Sequence, residues 1–298
     1  MTLNDPSPDH TRFTRIRERL ERYAPPPGIR SWLYELALFV FKQGWACLFG
    51  ALMLLLLLVT HFAYPADAAL ARYDFLTLAA LTIQLGLLAF RLETWSEARV
   101  ILAFHVVGTV MELFKTAHGS WLYPEASFLR IGGVPLFSGF MYAAVGSYIA
   151  RVWRIFDFRF EPYPPAPWPE LLATAIYVNF FAHHWLPDVR LALFAGLALL
   201  FWRTRVNFTV WREPRQMPLL FGWLLVALFI WLAENLATFA QAWTYPHQQD
   251  GWQLVPLTKL GAWYLLMYIS FILVAAVHRP REAKARTPVP GRPSAARR

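Results

Sequence analysis

The sequence predicts an all-α, polytopic transmembrane helical bundle of about eight spans, arranged as two parallel four-helix repeats. Three observations carry this: the composition, the placement of arginine, and a set of rare residues that recurs at one offset. Of 298 residues, 57% are hydrophobic and only 16% are charged. A soluble domain carries about a quarter charged residues, so too few remain here to cover a water-facing exterior. The formal charge of +9 is spread over the ends and alternate loops rather than gathered in one patch. That excludes nucleic acid as the favoured partner and matches the positive-inside arrangement of membrane proteins.

Residues 1–31 are polar and arginine-rich and lack the apolar core of a signal peptide, so no cleavage is expected. Within them Phe13, Ile16, Leu20 and Tyr23 recur at helical spacing between arginines. This is the pattern of a short amphipathic helix, either on an anionic inner leaflet or in water. A helix needs about 20 apolar residues to cross a bilayer. Residues 44–63, 73–90, 98–117, 134–152, 169–185, 189–202, 218–240 and 254–277 qualify. The fifth and sixth are short, with a tight turn at Pro187-Asp188 between them, and a re-entrant hairpin there is open.

Loop charge then sets the orientation. Arg12, Arg15, Arg17, Arg19, Arg22 and Arg30 precede the first span; Arg91 and Arg99 follow the second. Arg151, Arg154 and Arg159 follow the fourth, and Arg203, Arg205, Arg212 and Arg215 follow the sixth. With eight spans every basic segment falls on one face, with both termini cytoplasmic. Repeat 1 then occupies residues 32–160, repeat 2 residues 161–278, and a basic, disordered cytoplasmic tail residues 279–298. The single cysteine, Cys47, can form no internal disulfide and lies in no metal-binding spacing.

The repeat rests on an offset of 122 positions. Glu112 aligns with Glu234, Thr116 with Thr238, Trp121-Leu-Tyr123-Pro124 with Trp243-Thr-Tyr245-Pro246, His61 with His183, and Pro65 with Pro187. After one deletion Val134-Pro135-Leu136 aligns with Val255-Pro256-Leu257. Coincident Glu, Thr, Trp, Tyr, Pro and His at one offset exceed what a Leu-rich chain gives by chance. An even number of spans per unit makes the repeat parallel rather than inverted. The shared polar residues gather toward the outer face.

These residues supply the candidate chemistry. A carboxylate at membrane depth costs several kcal/mol unless paired or wet, so Glu112 and Glu234 are candidate catalytic acids or bases, or structural locks between helices. His105 lies seven residues before Glu112, about two turns, and joins them as a catalytic candidate. Lys115 is placed to pair with Glu112; the second copy has Ala237 there, and Lys259 is the candidate partner of Glu234. Lys115, His118, Trp121, Tyr123, Trp243, Tyr245, Lys259, His61 and His183 are the candidate substrate-binding residues. Tryptophan and tyrosine also populate membrane interfaces for no functional reason. His118 and Glu125 flank Trp121 in the first copy only. No HxxxH or HxxHH cluster occurs, adjacent His183-His184 fit one ion poorly, and neither metal nor cofactor is implied. Gly132-Gly133 reads as a turn entering a helix.

The chain as a whole resembles an uncharacterised bacterial family of integral membrane proteins, known only as a domain of unknown function. That resemblance implies the bacterial cytoplasmic membrane and no particular activity. His105-x6-Glu112, Gly119-Ser-Trp121-Leu-Tyr123-Pro124 and Gly133-Val134-Pro135-Leu136 are similar to membrane carotenoid hydratases. The repeated Glu…Trp-x-Tyr…Pro pattern also resembles small lycopene cyclase domains. The resemblance implies acid chemistry on long polyenes, with Glu112 as proton donor and tryptophans stabilising a carbocation. Where the cyclase pattern has paired acids, Pro135-Leu-Phe-Ser and Pro256-Leu-Thr-Lys carry none, which counts against cyclase activity and leaves a hydratase-like or other isoprenoid or lipid reaction. The expected partners are membrane lipids and an apolar small-molecule substrate. Three classes follow: an acid–base enzyme on an apolar isoprenoid or lipid, a proton-coupled transporter, and a non-catalytic membrane accessory protein.

Overall fold

The computed structural model describes residues 12–23 and 25–286, and among them ten α-helices and two small antiparallel sheets. The outer ends of the basic N-terminal segment (1–11) and of the tail (287–298) lie outside the described residues. Helix α1 (Arg12–Arg22) forms within the N-terminal segment. It is tied down at its C-terminal end, where Tyr34 Oη donates to Leu20 O (2.6 Å), Lys42 Nζ lies 2.7 Å from Glu21, and Trp211 Nε1 donates to Glu21 O (3.0 Å).

Helices α2 (Ile29–Ala46) and α3 (Leu48–Ala63) meet at a 70° bend, so the run of residues 44–63 is not one straight helix. Arg151 reaches the break and donates to Trp45 O (3.3 Å). A side chain that satisfies a carbonyl at a break is a recognised cause of a kink. Helix α4 (Arg72–Ala89) leads into α5 (Trp95–Ala117), whose start is fixed by a capping box between Thr94 and Glu97. Helix α6 (Phe137–Ile155) follows. Beyond it come α7 (Trp168–Ala182) and α8 (Arg190–Phe201), then α9 (Leu219–Phe239) and α10 (Thr258–Arg286).

The fold is therefore helical but not purely so. Strands β1 (Arg130–Ile131) and β2 (Val134–Pro135) form a ribbon whose turn is Gly132-Gly133. Both glycines have positive φ, 55° and 84°, which the tight hairpin needs and a side chain resists. The segment expected to begin a span at residue 134 is thus ribbon for its first residues, because pairing with β1 claims its backbone. Strands β3 (Arg159–Glu161), β4 (Arg205–Thr209) and β5 (Pro214–Pro218) make a second antiparallel sheet in that order, with Phe160 opposite Val206. Helix α10 continues to Arg286, through the first residues expected to be disordered.

Among the described residues three helices are long and apolar enough to cross a membrane: α5 over Glu97–Ala117, α9 over Leu219–Phe239, and α10 over Thr258–Ala276. The bent α2–α3 pair qualifies as a fourth if counted together. Helix α8 has 12 residues, about 18 Å at 1.5 Å per residue, well short of a hydrocarbon core of about 30 Å. Exposed apolar stripes suit lipid contact: Leu102, Val106 and Val110 recur every four residues on α5, as do Leu225, Phe229 and its neighbours on α9.

Helix α6 is central, packing on α2, α3, α4, α5 and α10. Its approach to α5 is close because glycines line the seam. A Cβ on Gly108 would lie 2.7 Å from the Tyr142 side chain, one on Gly146 2.6 Å from Phe104, and one on Gly139 would strike His105. On the far side, Trp153 stacks on Phe271 at 5.1 Å.

Long-range contacts sort the connections into two groups. Arg151 pairs with Glu93 (2.8 Å), Arg154 with Glu97 (2.7 Å), Lys42 Nζ donates to Val210 O, and β3 pairs with β4. These join the N-terminal segment with the connections after α4, α6 and α8. At the other end, Arg72 pairs with Glu125 and donates to Ala240 O and Gln241 O; Asp74 accepts from the backbone of Phe128 and Leu129; Leu122 bridges Thr244.

Candidate functional site

At this second end the two Trp-x-Tyr-Pro elements meet. Leu122 and Thr244 exchange backbone hydrogen bonds, N to O at 3.0 and 2.9 Å. They are themselves separated by 122 positions, the offset at which the rare residues align.

The bridge holds two acidic knots. Glu112, on α5, is buried and accepts from Trp121 Nε1 (2.7 Å) and Tyr123 Oη (2.6 Å) at Oε2, and from Tyr142 Oη (2.7 Å) at Oε1. Glu234, on α9, is also buried and accepts from Tyr245 Oη (2.5 Å) and Trp263 Nε1 (2.7 Å). Both oxygens of each carboxylate are therefore held by aromatic donors. Burial first, and the adjacent Glu112, raise the Tyr123 phenol well above its ordinary range; burial and Glu234 do the same to Tyr245. Both stay protonated and keep donating at any ordinary pH. Tyr142 and Trp263 carry no motif, and the sequence reading passed over them. Continuing the shifted alignment past Val134 and Val255 pairs these two positions, and both side chains are long aromatic donors.

The remaining candidates divide. His105 does not join Glu112: its ring packs on Phe140 at 4.6 Å and against Gly139, within the α5–α6 seam. His118 bonds Phe114 O through Nδ1 (2.8 Å) and lies beside His184. Glu125 is engaged by Arg72 rather than by Glu112. His61 rests on Phe62 and Phe239. Trp243 packs with Trp121, Trp231 and Tyr245.

Lys115 turns away from Glu112 as well. Its ammonium lies 3.1 Å from His184 Nε2, 3.4 Å from His183 Nε2 and 4.2 Å from the centre of the Phe180 ring. His183 Nδ1 contacts Asn179 O at 3.0 Å, so that nitrogen is the donor and Nε2 faces the lysine as an acceptor. Lys259 places its ammonium over Tyr245 (4.3 Å) and Trp121 (5.5 Å). Among the described residues neither lysine has a carboxylate within ion-pair distance.

Lys115, Lys259, His183 and Trp121 line one cavity of about 220 Å³. Ser120, Asn179, Arg190 and Thr258 complete its polar end, and Ile176, Leu265, Leu266 and Ile269 line the rest. Ile269 stands ten residues beyond Lys259 on α10, about 15 Å along the axis. The cavity is thus a cleft between α7 and α10 with a cationic mouth and an apolar trough. A second cavity, about 350 Å³, is lined by Thr60, His61, Arg72, Glu125 and Gln241. Its arginine is already matched by Glu125.

A mostly helical fold whose described residues include three helices long and apolar enough to cross a membrane, with exposed apolar stripes and polar groups drawn inward, is consistent with a membrane location. The chain belongs to the family described as "Protein of unknown function (DUF817)", which it matches over residues 35–271. It is similar to the "Uncharacterized protein YoaT" of Bacillus subtilis (strain 168), 42% identical over 244 residues that cover 82% of this chain and 92% of that one. No solved structure matches it. The likeness to carotenoid enzymes rests on the quoted motifs alone.

Proposed function

We propose that the protein is an eight-span membrane protein of two parallel repeats, with cytoplasmic termini, that acts on an isoprenoid- or lipid-like amphiphile held between α7 and α10. The amphipathic cleft carries this reading: its trough suits a hydrocarbon chain, and its mouth gathers Lys115, His183, Arg190 and Lys259. The eight-span count is supported by the way the connections group, those after even-numbered spans at one end and those after odd-numbered spans at the other. The repeat is supported by the two matched acidic knots and by the pairing of Leu122 with Thr244.

In this reading the acid–base group is Lys115 with His183, because both line the cleft. Glu112 and Glu234 serve as locks, since their oxygens are already taken by protein donors. Any proton exchanged with substrate at the mouth passes through Lys115 Nζ or His183 Nε2. The accessory-protein reading draws on those same satisfied locks, and a transporter would need a further polar route through α4–α6, where Gln84, Glu93 and Arg151 are buried.

The test compares extracted lipids and isoprenoids from a deletion strain and from the strain complemented with wild type, Lys115→Met or Glu112→Gln. An apolar metabolite that accumulates on deletion and is cleared by wild type and Glu112→Gln, but not by Lys115→Met, is the expected result. Clearance by Lys115→Met would sink the assignment. An unchanged lipid profile in all strains would leave the enzyme reading behind the accessory one.

A further inference from the structure

We infer that the cleft between α7 and α10 seats the oxyanion head of its amphiphile, a phosphate or carboxylate, between Lys115 and Lys259. The inference rests on the amphiphile reading above and adds the charge and chemistry of the head.

The geometry of the two lysines is the ground for it. Each ammonium is drawn out of water and held by neutral groups, Lys115 by two imidazole nitrogens and the Phe180 face, Lys259 by the faces of Tyr245 and Trp121. Lys115 is buried and Lys259 half-buried. A charge removed from bulk water needs a counter-charge, and π faces supply only part of one. The third cation at the mouth, Arg190, is paired directly with Asp188 at 3.0 Å; the lysines make no such direct pair, and Asp188 and Glu234 act on Lys115 and Lys259 only from beyond ion-pair distance. The mutual repulsion of the two lysines across the cavity is relieved by an anion seated between them.

Two buried carboxylates stand behind the wall. Glu112 grips the indole N–H of Trp121, and Glu234 the hydroxyl of Tyr245. These are the two rings under Lys259. Donation to a carboxylate makes each ring more electron-rich and a better seat for the ammonium. Lys259 is thereby positioned without a direct ion pair, and its N–H bonds are left for a ligand. Ser120 and Thr258 add hydroxyl donors at the same mouth.

The residues at the offset positions, and separately the second cavity, supply an internal contrast. Ala237 stands at the offset position of Lys115 and Ser138 at that of Lys259. The one arginine lining the second cavity, Arg72, spends its guanidinium on Glu125, Ala240 O and Gln241 O. The cleft thus presents two lysines without a direct ion pair, whereas the second cavity has closed its charge internally.

The experiment is calorimetric titration of the full chain in dodecyl maltoside micelles, corrected against empty micelles, with three probes: octyl phosphate, 1-octanol and inorganic phosphate. Octyl phosphate is expected to bind wild type and Arg215→Met alike. It should bind Lys115→Met/Lys259→Met at least tenfold more weakly, and the corresponding double arginine variant should recover most of the loss. The single Lys259→Met, which removes only ring contacts, should weaken binding at least threefold and serves if the double variant does not fold. Octanol binding equal to octyl phosphate in every variant would overturn the oxyanion head and leave the amphiphile reading standing. Inorganic phosphate binding as tightly, with the same lysine dependence, would uphold the oxyanion seat and remove the amphiphile. Octyl phosphate binding that is absent, or indifferent to the lysines, would overturn the inference.

Discussion

Glu112→Leu tests the idea that the buried carboxylates lock the bundle. Leucine nearly fills the same volume and offers no acceptor. Trp121 Nε1, Tyr123 Oη and Tyr142 Oη then lose their common partner. An orphaned buried donor costs about 1–3 kcal/mol, so three cost about 3–9 kcal/mol. Relief of the carboxylate's own desolvation offsets part of this and puts the expected loss near the lower end, about 3–5 kcal/mol. Glu234→Leu orphans only Tyr245 and Trp263 and is expected to lose less, by about one donor or 1–3 kcal/mol. Glu112→Gln is milder: the amide oxygen keeps two donors, and the Tyr142 hydroxyl turns to accept from the amide, for about 1–2 kcal/mol. The assay is denaturant unfolding of the detergent-solubilised chain, followed by tryptophan fluorescence. A leucine variant as stable as wild type, or a Glu234→Leu worse than Glu112→Leu, refutes the donor count.

Gly108→Ala drives a methyl into Tyr142 and pushes that hydroxyl off Glu112; a loss of about 1–3 kcal/mol is expected in the same unfolding assay. Arg151→Met strands Glu93, whose carboxyl is raised by burial and held down by Arg151. About 3–5 kcal/mol should be lost at neutral pH, and adding Glu93→Gln should recover part of it. A raised carboxyl favours its protonated form, so the stranded single variant should regain stability as pH falls; a flat pH profile would contradict the pairing. A topology reporter fused within residues 187–190 should read the non-cytoplasmic side, and a cytoplasmic signal would overturn the eight-span count.

Legibility followed the range of the forces involved. The helices were visible because apolar length and arginine placement act over whole segments; each expected span contains a helix. The carboxylates, the tryptophans and the lysines at the mouth stood out as rare types in an apolar chain. Their pairings did not. The spacing of Glu112 and Lys115 reads as an ion pair, yet Lys115 goes to His183 and His184 across the bundle, and two local aromatic donors with Tyr142 take Glu112 instead. Likewise His105 shares a helix face with Glu112 in projection, but the glycine seam draws it against α6. The small sheet of β3, β4 and β5 was missed because its strands are short, β3 lies far along the chain from the β4–β5 hairpin, and no local alternation announces it. The bend at Cys47 depends on Arg151, more than a hundred residues away.

The cleft is built from distant parts of the chain: Lys115 and Trp121 come from one half, His183 and Lys259 from the other. A molecule seated there acts as a staple between segments that the backbone joins only at length. Folding and occupancy are then linked, with stabilisation growing as the logarithm of ligand concentration over its dissociation constant. A hundredfold excess over that constant adds about 2.7 kcal/mol, comparable to the loss of a buried hydrogen-bonding partner. If the proposed amphiphile fills the cleft, its supply is expected to shift the stability of the protein in the same sense.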